Sequence, residues 1–366
     1  MAKVTIQNLV KQYGKQTIAV QDLSLEIQDK ELIVVLGPSG CGKTTTLNCI
    51  AGLETPTSGK IFFDDMDVTE VPPHQRNVAM VFQSSLLYPH LTARGNIAMS
   101  LHKSKLSKEE IAKRVEDVAS VVNIQRMLDR QPAQLSGGEC QRVAIAKAIV
   151  RNPSVFLMDE PLANLDAALR EMLRAEISVL QKRIETTMVL VTHDQIEAMT
   201  MGDKIAVMSA GELQQVGTPD EVYKRPANTF VGKFIGSPPM HLFTGNIKKE
   251  SNSLLFVNKG FTITLPAKYS DALDRLQGRT NAILGVRPHH MSVSADKKPH
   301  SFRAQVYTVE QMGKENNIII TDEHDRKIKI VTTPQIPFKR DDMVWVSIDP
   351  ENIHLFNEET RQNLYL

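Results

Sequence analysis

Apolar residues change their spacing several times along this chain, and each change marks a different element. Val4 to Leu9 and Leu23 to Ile27 read as short strands separated by turns. Leu32 to Leu36 is apolar throughout and runs straight into a glycine-rich segment, Gly37-Pro38-Ser39-Gly40-Cys41-Gly42-Lys43-Thr44. From Ser107 the period becomes helical: Ser107 and Glu110 stand as a capping box, and Ile111, Val115, Val118 and Val122 share one face. Gln141 to Val150 continues as helix, and Val155 to Met158 is an apolar strand closed by Asp159 and Glu160. A second helical stripe, Leu169, Leu173, Ile177, Leu180 and Ile184, leads to the apolar strand Met188 to Val191. Apolar strands alternating with helices predict a parallel α/β core. That first domain is expected over residues 1–235, with a helical insert at about 90–150.

Beyond Gly236-Ser237-Pro238-Pro239 the texture shifts to short alternating stretches such as Ile328-Lys329-Ile330 and Val344-Trp345-Val346-Ser347-Ile348. Residues 236–366 are therefore expected to form an all-β module. Strands this short suit a compact barrel; an oligonucleotide-binding (OB) type is one option, and a structural or dimerising appendage is another reading of the same segment.

Composition narrows the partners. With 43 basic and 42 acidic residues the formal charge is +1, so no polyanion-binding surface is expected and nucleic acid is not an expected partner. Apolar runs such as Leu32 to Leu36 and Ile318 to Ile320 fall far short of the ~18 residues of a spanning helix, so a membrane role is expected to come through other subunits. Cys41, Cys49 and Cys140 are too few and too scattered for a disulfide framework, and a reducing cytosol is the expected setting.

Three segments carry chemistry. In the loop Gly37 to Thr44 the backbone must wrap around phosphate oxygens, which asks for glycine at Gly40 and Gly42, where a Cβ would collide. Lys43 adds a point charge, Thr44 offers a hydroxyl to Mg²⁺, and the helix that follows points its N–H groups at the anion. Asp159 and Glu160 emerge at a strand end, where Asp159 would serve Mg²⁺ and Glu160 would align and deprotonate a water. Ser136, Gly137 and Gly138 open another helix and so form a second anion-binding start. Cys41, beside Lys43 at a helix N-terminus, is expected to be a reactive thiol that bound ATP protects.

The phosphate loop, Leu135-Ser136-Gly137-Gly138-Glu139 and Val155-Phe156-Leu157-Met158-Asp159-Glu160, in this set, resemble an ABC transporter ATPase. The resemblance implies ATP and Mg²⁺, with nucleotide held by Gly37, Pro38, Ser39, Gly40, Cys41, Gly42, Lys43, Thr44 and Thr45. Tyr13 is similar to the aromatic that stacks on adenine. Gln83 is similar to the glutamine that senses Mg²⁺ and water, so Thr44, Gln83 and Asp159 form the implied metal set. His193 is similar to the histidine at the γ-phosphate, which with Glu160 and Gln83 completes the implied catalytic set. Asp166 lies in the segment that crosses to a partner subunit, and Ser136 to Gly138 of one subunit close over ATP held by the other.

Glu160 to Arg170, together with Gly285-Val286-Arg287-Pro288-His289-His290, look most like the maltose-type sugar importers. That implies a homodimer beneath two membrane permease subunits docking near Gln83 to Leu91, an extracytoplasmic solute-binding protein, and a peripheral place on the cytoplasmic face of a bacterial plasma membrane. Importers of glycerol phosphate, polyamine, iron or sulfate share the same core, and no residue here names the solute. A non-transport ABC ATPase would carry a coiled-coil, zinc or basic insert, which this sequence lacks. Departures from the pattern are Glu139 for the usual Gln, Ala163 for Ser, Arg94-Gly95 before Asn96, and His290 for Glu. Glu139, in the first turn of its helix, is expected either to set a carboxylate against the triphosphate and slightly weaken the ATP-bound dimer, or to point at solvent or ribose hydroxyls.

Overall fold

The computed structural model describes residues 2–250, 253–335 and 337–366. It forms two compact units, one reaching to Asp220 and the other spanning Glu221–Leu366. The first contains β1 (Val4–Tyr13), β2 (Thr17–Ile27), β3 (Leu32–Leu36), α1 (Lys43–Ala51), β4 (Ser58–Phe63), β5 (Met66–Asp67), β6 (Val78–Val81), α2 (Ala93–Met99), α3 (Lys108–Val121), α4 (Gly137–Ile149), β7 (Val155–Asp159), α5 (Ala167–Ile184), β8 (Thr187–Thr192), α6 (Gln195–Met201), β9 (Lys204–Ser209) and β10 (Glu212–Gly217).

A six-stranded sheet ordered β10-β9-β3-β8-β7-β6 is parallel except at β10. Every residue of β3 and β8 is buried, the signature of strands covered on both faces. Register decides what happens at their C-terminal ends: Leu36 pairs with Thr192, Asp159 with Val191, and Val81 with Met158. The segments beginning at Gly37, His193, Glu160 and Phe82 therefore leave the sheet along one edge. A second, antiparallel sheet ordered β2-β1-β4-β5 shares a core with this one through Val4, Ile6, Leu25, Ile33, Val35 and Val191.

The helices α2, α3 and α4 lie between β6 and β7 and pack on one another. Ser107 and Glu110 do form the expected box, with Ser107 N–H donating to Glu110 Oε2 at 2.7 Å and Glu110 N–H to Ser107 Oγ at 3.2 Å. Of the expected α3 face, Val115 and Val122 are buried, joined by Ala119, while Ile111 and Val118 are only half-buried. In α5 the stripe buries Leu173, Ile177 and Leu180 together with Gln181, whose amide donates to the carbonyls of Lys30 and Thr186.

The chain enters the second unit within α7 (Pro219–Lys224) and continues through α8 (Thr229–Phe234), β11 (His241–Glu250), β12 (Ser253–Val257), β13 (Thr262–Thr264), α9 (Ala272–Arg275), β14 (Asn281–Val286), β15 (Met291–Ser294), β16 (Ser301–Gln311), β17 (Asn316–Asp322), β18 (Lys327–Thr332), β19 (Met343–Ile348) and β20 (Ile353–Asn357). Its strands pair antiparallel in two five-stranded sheets, β13-β12-β11-β14-β20 and β15-β19-β16-β17-β18. The inward residues of both sheets share one core, where Phe261 packs edge-on to Phe243 and stacks on Phe302, each at 5.2 Å between ring centres. The expected all-β module is thus built from two sheets on a common core.

Candidate nucleotide site

The loop from Gly37 to Thr45 begins where β3 ends and closes on α1, whose N-cap Gly42 is left-handed at φ 101°. The protein itself makes demands on these glycines besides the expected clash with phosphate. At Gly40, φ is 78° and a Cβ would meet no protein atom within 4 Å, so within the chain it is the conformation that favours glycine. At Gly42 a Cβ would press on the Ala19 carbonyl oxygen of β2, so close packing adds to the positive φ. Lys43 is buried, and its ammonium donates to the carbonyls of Gly37 and Pro38, each at 2.9 Å. Pro38 and Thr45 are half-buried, and Ser39 and Thr44 are exposed at the loop surface.

Cys41 overturns one expectation. Its side chain is buried in the core between the two sheets, and burial raises the thiol's pKa more than Lys43 lowers it. Desolvation outweighs the helix terminus and the lysine, so Cys41 is a packing residue and not a reactive thiol.

Asp159 ends β7 one strand away from β8. Thr44 Oγ donates to Asp159 Oδ1 at 3.0 Å, which brings together two of the three residues of the expected metal set. Burial raises the Asp159 pKa, with the Thr44 hydrogen bond opposing and the neighbouring Glu160 adding to the rise. A half-buried carboxylate beside a hydroxyl, both hard oxygen donors, fits Mg²⁺. Among the described residues no cluster of three or more His, Cys, Asp or Glu could hold a metal by itself.

Glu160 departs from the strand with φ 44°, a left-handed conformation that costs a non-glycine residue about 1 kcal/mol or more. Its N–H still bonds the Val191 carbonyl at 2.9 Å, so the turn is anchored to β8. The turn swings the side chain toward the next strand end, where His193 Nδ1 lies 3.1 Å from Glu160 Oε1. Below His193, Thr192 Oγ donates to the buried Glu197 at 2.6 Å and accepts from Asp194 N–H at 3.0 Å. Glu197 was not singled out from sequence, although Asp194-x-x-Glu197 has the spacing of a capping box. Asp194 does cap α6, but Glu197 turns to Thr192 and braces the histidine segment from beneath.

Gln83 is exposed in the irregular segment after β6; its carbonyl accepts from Asn164 Nδ2 at 3.3 Å, linking the segments that follow β6 and β7. Tyr13 ends β1 with its ring 41% exposed and Lys11 Nζ 5.0 Å from the ring centre. Asp166 caps α5 by accepting from Leu169 N–H at 3.0 Å.

Ser136, Gly137 and Gly138 stand at the start of α4. Gly138 has no room for a Cβ because Leu169 of α5 fills the space, so this helix start is seated on α5. Among the described residues no hydrogen bond or ion pair joins these three residues to Gly37–Thr45 of the same chain. Glu139 stands in the first turn of α4, as expected. Its Oε2 accepts from Ser136 N–H at 2.7 Å while Ser136 Oγ accepts from Glu139 N–H at 3.3 Å, a complete capping box. The Ser136 backbone hydrogen bond lowers the Glu139 pKa. The carboxylate is thus folded back onto its own helix start.

An ABC transporter profile matches residues 20–163, a MalK OB fold domain profile residues 236–291 and a TOBE domain profile residues 284–356. The chain is 42% identical over 369 residues to the ABC transporter ATP-binding protein YurJ of Bacillus subtilis, covering 100% of both. It is 48% identical over 329 residues to the trehalose/maltose import ATP-binding protein MalK of Thermococcus litoralis, covering 86% of this chain and 87% of that protein. A dimeric structure of the ATP-binding cassette MJ0796 in a post-hydrolysis state with ADP and Pi aligns with a TM-score of 0.53 at 32% identity, covering 59% of this chain and 98% of that one.

Proposed function

This chain belongs to the ABC transporter ATP-binding proteins, and on that premise we propose that it is the ATP-hydrolysing subunit of an importer for a sugar or oligosaccharide. The observation that carries the reading is the common sheet edge. The phosphate loop, Asp159 with Glu160, His193 and the Gln83 segment follow the aligned ends of β3, β7, β8 and β6, the place where open α/β sheets bind ligands.

In this reading the loop N–H groups of Gly37 to Thr45 and the Lys43 ammonium hold the phosphates of ATP, and Tyr13 takes the adenine face. Lys43 then exchanges two carbonyl acceptors for phosphate oxygens, a trade of neutral for charged partners. Thr44 and Asp159 hold Mg²⁺, with Gln83 as its further contact, and the ion supplies charge neutralisation at the phosphates. Glu160 takes the proton of the attacking water. The His193 imidazole, 3.1 Å away, keeps that carboxylate in place and supports developing charge at the phosphate.

Each chain carries two separate anion-binding starts, at α1 and at α4, which supports a head-to-tail dimer. Ser136 to Gly138 of each subunit then close over ATP in the other, and Asp166 lies at the crossing segment. Permease subunits are the proposed occupants of a groove of about 410 Å³ lined by Phe82, Ser85, Leu86, Ala144 and Lys147. Leu86 and Tyr88 beside it are 57% and 43% exposed, apolar surface that a docked helix would cover. Among the described residues no helix is long and apolar enough to cross a membrane. We place the subunit on the cytoplasmic face through those permeases, with a solute-binding protein acting on the far side.

Glu160→Gln tests the core of the proposal. ATP affinity should stay within about twofold while turnover falls at least ~100-fold, the scale of a lost general base. Retained turnover would remove Glu160 from the role. Loss of labelled-sugar uptake in a strain lacking this protein, restored by the wild-type chain and not by Glu160→Gln, tests the transport step.

A further inference from the structure

Glu160 and His193, the pair placed at the attacking water and the γ-phosphate, sit in two segments that leave the sheet side by side. Residues 160–166 join β7 to α5, and residues 193–194 join β8 to α6. Strand register fixes where each segment starts, through Asp159 beside Val191, and the Glu160 N–H is bonded to the Val191 carbonyl at 2.9 Å. Register does not reach the outer part of either segment. Glu160 nevertheless holds its left-handed φ of 44° with Oε1 3.1 Å from His193 Nδ1. A strained conformation of this kind persists only where its surroundings over-determine it.

Arg170, one turn into α5, bridges the two segments. Its backbone N–H bonds the Asp166 carbonyl at 2.9 Å, Nη2 donates to the Leu165 carbonyl at 3.1 Å, and Nη1 lies 3.5 Å from Asp194 Oδ2. Asp194 divides its carboxylate: Oδ1 accepts from the N–H groups of Ile196 at 2.7 Å and Glu197 at 3.1 Å to cap α6, which leaves Oδ2 for the arginine. Among the described residues, the side-chain links between residues 160–166 and residues 193–194 are the Glu160–His193 contact and this arginine bridge. The planar guanidinium reaches both partners at once in a fixed geometry, which an ammonium on a flexible stem does not copy. The Arg170 and Asp194 side chains are 31% and 23% exposed, so water screens the pair and it adds little to global stability. Its consequence is positional.

We infer that Arg170 is a positioning residue for hydrolysis: by clamping the Leu165 carbonyl to Asp194 it fixes the separation of the segments that carry Glu160 and His193. The inference rests on the proposed roles of those two residues, and the bridge itself contacts neither. Without the clamp the outer ends of the two segments are free to part, and a displacement of about 1 Å in a catalytic group costs on the order of 10²-fold in rate. The phosphate loop follows β3 and is not held by this bridge, so ATP binding is expected to survive its loss.

Steady-state hydrolysis, ATP affinity and melting temperature of the full chain test this with Arg170→Met, Arg170→Lys, Asp194→Asn and the Arg170→Met/Asp194→Asn double variant, with Glu160→Gln alongside. Asp194→Asn keeps an oxygen for the α6 cap and removes the charge that faces Arg170. Arg170→Met should lower kcat at saturating ATP about tenfold or more, with ATP affinity within about twofold and a melting temperature within about 3 °C of wild type. Arg170→Lys should keep more turnover than Arg170→Met. The double variant should lose no more than the worse single one, because both changes remove the same bridge. Normal kcat in Arg170→Met, or losses that multiply in the double variant, would overturn the inference. So would a fall in kcat matched by a loss of ATP affinity or melting temperature, which marks a structural role alone. If Arg170→Met does not fold, Arg170→Lys and Asp194→Asn are held to the same kcat criterion. Retained turnover in Glu160→Gln removes the pair that Arg170 positions and overturns both readings; abolished turnover there with normal turnover in Arg170→Met overturns this one alone.

Discussion

Asp159, the proposed Mg²⁺ ligand, is held at a cost to the fold around it. Burial raises its pKa, so the native state binds that proton more tightly than the unfolded chain does. The sign follows: ionising this carboxyl destabilises the native state, the penalty is absent in acid below the ordinary carboxylate value, and it is complete above the raised native value. Asp159→Asn keeps an oxygen for the Thr44 hydroxyl and removes the charge. It should raise the melting temperature of the nucleotide-free protein at about pH 8, with the gain vanishing near pH 4. Mg²⁺-dependent hydrolysis should drop at least ~100-fold, since several kcal/mol of charge stabilisation accompany the metal. A melting temperature lowered at pH 8 would contradict the sign. The thiols give a second prediction at this scale. Cys41 and Cys49 are buried and Cys140 is half-buried, and burial holds the Cys49 thiol at about 11. Timed alkylation read by mass spectrometry should modify Cys140 first and reach Cys41 only on unfolding, whether or not ATP is present. The residue types at Gly37 to Thr44 announced phosphate chemistry without the structure. They could not reveal that the Cys41 side chain faces the core, because that depends on strands distant in sequence.

Local patterns with a fixed period were legible at the scale of elements. The runs in β3, β7 and β8 and the Ser107-x-x-Glu110 start of α3 are all determined by near neighbours. Pairing among β1, β2, β4 and β5 was not legible, since Val4 must find Ile27 on one side and Phe63 on the other. Nor did any pattern mark Arg76, whose guanidinium donates to the carbonyls of Cys49 and Ile50 at the end of α1 and to those of Thr69 and Val71. Ser136-x-x-Glu139 has the same spacing as Ser107-x-x-Glu110, yet the expectation for Glu139 rested on its charge. The observed box makes a different prediction. Glu139→Gln keeps a side-chain acceptor for Ser136 N–H and should leave the melting temperature nearly unchanged. Glu139→Ala loses it, worth about 0.5–1 kcal/mol, and should lower the melting temperature by about 1–4 °C. Equal melting temperatures for the two variants would show that the box contributes nothing.

For the whole molecule, the proposed head-to-tail dimer would divide the nucleotide site between two helix starts, one from each chain. The phosphate loop is tied to β2 through Ala19 and Gly42, while Ser136 to Gly138 are seated on α5 through Gly138 and Leu169. If each functional site combines the loop of one subunit with the α4 start of its partner, the two defects Lys43→Ala and Ser136→Arg should complement. Either variant alone has no intact site in any dimer it forms. A one-to-one mixture forms mixed dimers in which the loop of the Ser136→Arg chain meets the α4 start of the Lys43→Ala chain, giving one intact site of two. With random exchange about half the dimers are mixed, so hydrolysis should recover to as much as about a quarter of wild type, provided one closed site can fire alone. ATP-dependent association of the mixture, followed by sedimentation, covers the case in which both sites must close before either turns over, because one shared nucleotide still favours association by mass action. If neither activity nor association exceeds that of the separate variants, the α4 start belongs to its own chain's site or to none, and the head-to-tail arrangement fails.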